Sequence, residues 1–183
     1  MSETRGYSRP ARIIHWLMAI IMITMIVAGL WMVNGPWDGK FPPLRGQLFD
    51  YHRGMGIVLL GLVIIRIFIK FTAKPPSPLP SSIPERDRKI AGRVHFIFYA
   101  ALILMPLVGW YATNAWGVKK ISVFGLFDLP TLVEKNRPLG DQLLAIHGYI
   151  GFVIAGLIVL HIAAALRHHF IKKDGVLMRM LKG

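Results

Sequence analysis

Seven histidines and no cysteine define the chemistry open to this 183-residue chain. Without cysteine, disulfides, thiol catalysis and cysteine-ligated zinc or iron–sulfur centres are excluded. Imidazole remains, and it suits iron, copper, nickel and zinc. Two of the seven, His147 and His161, stand 14 residues apart in a stretch with almost no charge. On one helix they share a face to within about 40° and are separated by about 21 Å along the axis. An ionisable group inside an apolar helix is costly, and that cost marks it as a candidate for function. A buried neutral imidazole bonded to a neighbouring helix is the competing reading for any one of them.

The elements that must position these residues are membrane helices. Hydrophobic residues make up 54% of the chain, and mean hydropathy is +0.51. The apolar residues gather in Ile13–Val33, Met55–Ile69, Val94–Ala112 and Tyr149–Leu166. A spanning helix needs about 20 mostly apolar residues, which these runs reach directly or with their flanks. The expectation is an all-α, integral membrane four-helix bundle forming a single domain over 1–183, with helices at about 12–33, 51–71, 88–113 and 141–170. Asp50 and Asp141 are placed to cap the second and fourth helices. Pro106 should kink the third. Arg5, Arg9 and Arg12 before an apolar run resemble the start of a signal peptide, but the run is too long for one and is read as a retained first helix.

The net charge of +13 invites a nucleic-acid reading, but no nucleic-acid partner is expected. The Lys and Arg residues fall between the apolar runs, where they set topology. Fifteen of the 22 lie in residues 1–12, 66–93 and 167–183. Both termini and the central loop are therefore read as inside, with the loops 34–50 and 114–140 outside. The inner linker Lys74–Pro84, with five prolines, should be extended. The stretch Ile121–Pro130 is too short to span and is expected on the membrane surface, with Phe124, Leu126 and Phe127.

Topology then sets the partners. His15 is at the inner end of helix 1 and His52 at the outer end of helix 2, so His161 can meet His15 and His147 can meet His52. The interior has neither cysteine nor carboxylate to complete a closed zinc site. Two histidines do complete a haem iron, whose other ligands come from the porphyrin. Iron held this way has no open position, which favours electron transfer. Without Cys-x-x-Cys-His the haem is not thioether-linked and is b-type. The expectation is two haems b stacked across the bilayer.

Arg66, 14 residues after His52, shares its face at the inner depth and would suit a propionate or snorkel to the surface. Arg12 and Arg53 adjoin candidate ligands and are open to the same two readings. Gly54, Gly56, Gly148, Gly151 and Gly156 flank the histidines; they would admit a macrocycle or close helix packing. His95 could bond a propionate or a quinone oxygen or simply lie at the interface. His168 and His169 fall beyond the apolar run, in a surface or propionate role.

The sequence Arg12-Ile-Ile-His15-Trp16, the His52 start of helix 2, and His147 with His161 followed by Ala-Ala-Leu-Arg-His168-His169-Phe resemble the bacterial cytochrome b561 family over nearly the whole chain. The resemblance implies a multi-pass protein of the bacterial inner membrane with both termini cytoplasmic. It implies His15, His52, His147 and His161 as axial ligands of two haems b. It also implies electron transfer with quinone, in one characterised type from periplasmic superoxide to ubiquinone. Two alternatives stay open: a haem-b subunit relaying electrons between the quinone pool and a redox protein partner, and a non-catalytic haem-binding module. Lipid is an expected partner in every case.

Overall fold

The structure, a computed structural model, describes residues 6–35, 42–80 and 82–183. Arg5 and the middle of the first outer loop, residues 36–41, lie outside the described residues. Four long helices, α1 (Arg9–Asn34), α2 (Pro42–Thr72), α3 (Glu85–Trp116) and α4 (Arg137–Arg167), carry the fold. All four are long and apolar enough to cross a membrane. Between α3 and α4 lies a small hairpin, β1 (Ile121–Val123) and β2 (Phe127–Leu129). A π-helical turn, His168–Lys172, continues α4, and the short α5 (Met178–Leu181) ends the chain.

Local chemistry explains where the helices start and stop, and corrects the expected boundaries. α2 begins at Pro42, well before the expected 51, because proline is tolerated in a first helical turn. Asp50 consequently sits inside α2 rather than at its cap, paired with Arg53 at 2.8 Å. α4 is capped by Asn136, whose side chain accepts from the Leu139 N–H. Asp141 instead lies one turn in and pairs with Arg137. At α3 the acidic first turn, Glu85 and Asp87, complements the helix dipole, and Gly117 ends the helix at φ 122°, a conformation glycine adopts without strain. Pro106 lies within α3, which is helical on both sides of it.

α1 packs along α2 and α3 along α4, with α2 against α3 joining the two pairs; α4 barely touches α1. A methionine-rich seam, Met18, Ile21 and Met25 of α1 with Leu59 and Val63 of α2, forms the buried core. Large apolar side chains face outward elsewhere, Phe68 and Val159 at 66% exposure among them. Such a surface has a favourable environment in lipid rather than in water. At the α3–α4 corner Gly140 lies so close to the chain that a Cβ there would come within 2.5 Å of the Trp116 nitrogen. The two helices can approach there only because that side chain is missing.

The segment Ile121–Pro130, expected on the membrane surface, forms a hairpin. Ile121 and Val123 turn inward and are buried against α2, while Leu126 and Phe127 face outward. Its turn holds Phe124 and Gly125 at φ 53° and 74°, the double left-handed conformation that matches strand twist. The Phe124 ring lies over Gly54, where a Cβ would come within 2.9 Å of it. The hairpin thus covers α2 immediately after His52.

At the opposite end the C-terminal segment folds back on α1. Tyr7 N–H donates to the Arg179 carbonyl at 3.1 Å, Arg12 Nη1 to the Leu181 carbonyl at 2.8 Å and Trp16 Nε1 to the Met180 carbonyl at 3.1 Å. Arg179 also donates to the Ser77 carbonyl, which ties the proline-rich linker to the same end.

Candidate functional site

The bundle holds two layers of side chains, one at each depth. α1 and α3 run in the same sense, with α2 and α4 opposed. Each helix contributes one residue to each layer, and on every helix those two residues are 14 apart: His15 and Gly29, His52 and Arg66, His95 and Gly109, His147 and His161. Fourteen residues return to nearly the same helix face, so the spacing projects two levels of one interior.

In one layer, His52 of α2 faces His147 of α4 with ring centroids 6.1 Å apart. In the other, His15 of α1 faces His161 of α4 at 6.4 Å. The interplanar angle is 70° in both pairs. A metal–imidazole bond is about 2.0 Å long, so two imidazoles opposed across one iron have centroids about 6.3 Å apart. Both pairs match that separation. His95 is different: its ring lies 5.6 Å from that of His161, too near for the two to face each other across a metal.

The hairpin-side layer has a second feature suited to a macrocycle held by histidine. The Nδ1 atoms of His52 and His147 are buried without a closed hydrogen bond. Their Cε1–Nδ1 edges lie against glycines of neighbouring helices. A Cβ at Gly29 would be 3.5 Å from His52 Cε1, and one at Gly109 would be 3.2 Å from His147 Cε1. With no side chain in the way, each ring rests against helix backbone with one nitrogen toward it. The other nitrogen, Nε2, is left for a metal. Orienting a ligating imidazole through its second nitrogen is how proteins fix tautomer and ring direction.

Gly29 and Gly109 were not among the glycines singled out from sequence. Of those that were, Gly54 lies under Phe124, and a Cβ at Gly56 would be 3.8 Å from Met25 Cε. Gly148, Gly151 and Gly156 have no neighbour within 4 Å, so close helix packing is not their role.

The arginines fall at the ends of the layers. Arg66 reaches across to α1, where Nη1 donates to the Ala11 carbonyl at 2.8 Å, one turn from His15. Arg12 lies on the C-terminal segment, and its Nε is buried without a partner. Arg53 donates to the Phe49 carbonyl and to Asp50. His168 is hydrogen-bonded to Asp174 beyond the membrane-length part of α4, apart from both layers. His169 stacks edge-on with Phe170.

At the hairpin end of the bundle two cations besides Arg53 are neutralised. Lys120 pairs with Asp128 at 2.9 Å, and that hydrogen bond holds the Asp128 carboxyl below its ordinary range. Arg137 pairs with Asp141 and lies 3.9 Å over the Trp116 ring. Lys119 and Lys135 have no ion pair among the described residues.

These two histidine levels have counterparts in known proteins. A family model described as prokaryotic cytochrome b561 matches residues 6–183. The chain is 37% identical to cytochrome b561 homolog 2 of Escherichia coli (strain K12), over 91% of this chain and 86% of that protein. It is 29% identical to a Yersinia pestis protein named probable superoxide oxidase CybB, over 92% of this chain and 91% of that one. Cytochrome b561 homolog 1 of Escherichia coli (strain K12) is 27% identical over 96% of both chains. With its four apolar helices and a match that runs through all of them, the chain belongs to the prokaryotic cytochrome b561 family, electron-transfer modules of the membrane.

Proposed function

We propose that this protein oxidises superoxide on the hairpin side of the membrane and delivers the electrons to ubiquinone on the other. His52 with His147, and His15 with His161, would hold two b-type haems, the cofactor that family membership implies. When bound, the haems supply one-electron carriers at the two depths. The observation that carries this reading is the pair of iron-spaced imidazole couples at different depths, with Lys119 and Lys135 at the hairpin end in no ion pair among the described residues. The chemistry balances: two superoxide anions each lose one electron and leave as dioxygen, and the quinone takes two electrons and two protons to become quinol. The Yersinia pestis relative, by its name, points to the same donor.

The charge distribution orients the molecule. The hairpin end is the poorer in Lys and Arg, so it faces the periplasm and both termini face the cytoplasm. The chain's own residues then divide the work. Arg66 and Arg12 stand at the cytoplasmic layer, and Arg53 at the periplasmic one, where each can neutralise a propionate. His15, His52, His147 and His161 would hold the two haems. The hairpin shields the periplasmic layer from water through Phe124. Lys119 and Lys135 form the field that draws a small anion.

Superoxide is a small anion whose encounter rate depends on that field. Lys119→Gln with Lys135→Gln should slow superoxide consumption by the purified protein several-fold at low salt and flatten its dependence on ionic strength. The visible spectrum should be unchanged. Identical kinetics across a wide salt range would show that the lysines only set topology. A second reading, relay between the quinone pool and a redox protein, would be favoured by a partner that co-purifies with the chain and donates electrons faster than superoxide does.

A further inference from the structure

His15 and His161 face each other across a seam that helix packing hardly closes. His15 is on α1 and His161 on α4, two helices that scarcely touch. Contact between those helices therefore does little to hold the rings at their 6.4 Å separation. The support found in the other layer has no counterpart here. His52 and His147 each rest on a glycine of a neighbouring helix, whereas no described glycine has the His15 or His161 ring among its nearest neighbours.

What spans the seam is the end of the chain. α4 is followed by a turn built to reverse direction. His168 is hydrogen-bonded to Asp174, whose other oxygen accepts from the Val176 N–H at 3.2 Å. Lys173 and Gly175, at φ 51° and 77°, take the left-handed conformation that turns a chain back. The returning segment accepts from α1 and its lead-in at three donors: Tyr7 N–H, Arg12 Nη1 and Trp16 Nε1. Trp16 matters most, because it has a second contact. Its ring stands edge-on to that of His15, with centroids 5.3 Å apart and an interplanar angle of 73°. A chain of contacts thus runs from the Met180 carbonyl through the indole N–H to the indole ring and on to the imidazole. An indole anchored at its N–H keeps its ring in place beside its neighbour.

We propose that Trp16 is a positioning residue for His15, and that the C-terminal segment acts through it to hold His15 in line with His161 across the α1–α4 seam. The proposal rests on the haem reading above and deepens it: the segment secures the haem of the His15–His161 couple and not that of the other. Trp16 touches no metal, and its effect passes through the His15 ring.

The test follows haem transfer from purified holoprotein to excess apomyoglobin, a rate that a loosened ligand raises. In a His147→Ala background only the haem of the His15–His161 couple remains. There Trp16→Phe, which keeps an aromatic ring and removes the N–H, should speed transfer about threefold to tenfold, the worth of one neutral hydrogen bond. Removing residues 174–183 should speed it at least as much. The two changes together should do no more than the truncation alone, because they break the same connection. In a His15→Ala background, which keeps only the other haem, neither change should alter the rate. The low-spin electron paramagnetic resonance signal of the His15–His161 haem should shift in Trp16→Phe as the imidazole plane turns. Where the shortened chain does not assemble, Trp16→Phe alone decides. Unchanged transfer in Trp16→Phe, or a combined effect larger than that of the truncation, would overturn the proposal. Equal acceleration in both backgrounds would overturn it too, since that is general loosening of the bundle. If the wild type holds no haem, the haem reading itself fails, and the proposal with it.

Discussion

His15→Ala and His161→Ala should each leave the purified protein with about half its haem, and the two changes combined should remove no more than either alone. The two rings face each other across a gap that fits one iron. Losing either leaves that iron with a single protein ligand, so the pair behaves as one unit and its effects do not add. His52→Ala and His147→Ala should remove the other half on the same grounds. The cross-pair, His15→Ala with His147→Ala, should lose all haem. Pyridine haemochrome assay against protein concentration reads each result. If the double variant of His15 and His161 lost everything while each single lost half, the two residues would serve different haems.

Gly109→Leu should lose the haem proposed for the His52–His147 pair although it replaces neither histidine. A Cβ alone would come within 3.2 Å of His147 Cε1, tighter than ordinary contact, and a leucine side chain would fill the place the ring occupies. The imidazole would be forced away from the backbone edge and off its line to His52. Haem content should fall by about half, as for His147→Ala itself. Gly29→Ala should be mild, because a Cβ there meets His52 at 3.5 Å, an ordinary van der Waals distance. Gly61→Leu, with nothing within 4 Å, provides a control at similar apolarity. Full haem retention in Gly109→Leu would mean that the His147 ring is not held by the contact with α3.

Much of this arrangement was legible in the sequence because it follows from depth. Runs of apolar residues give the helices, alternation gives their direction, and 14 residues give a return to the same face one layer away. That reasoning places His15 opposite His161 and His52 opposite His147, where the structure has them. The same spacing applied to His15 and His95 leads to Gly29 and Gly109, so a signal for both glycines was available. Neither glycine adjoins a histidine in sequence; the contacts that matter run between helices.

The errors have equally local causes. Asp50 looked like a cap because Gly and Pro precede it, but two prolines can open a helix, and α2 starts there. Asp141 lost the cap to Asn136, which stands directly before the Arg137-Pro138 start. The stretch ISVFGLFDLP has apolar residues at nearly every position, which conceals alternation. Only the turn at Phe124–Gly125 and the cover it gives Gly54 resolve it into a hairpin. The return of the C-terminal segment onto α1 is a long-range contact between backbone carbonyls and Arg12 and Trp16, with no sequence signature of its own.

The central claim is that one chain holds two irons, each between two imidazoles. The most direct test is the wild-type protein itself: haem per polypeptide, with the oxidised spectrum by electron paramagnetic resonance and the reduced-minus-oxidised visible spectrum. The account predicts two non-covalent haems b per chain, both six-coordinate and low-spin, both extractable by acidic acetone. One haem per chain, or a high-spin signal from an iron with an open position, would contradict it.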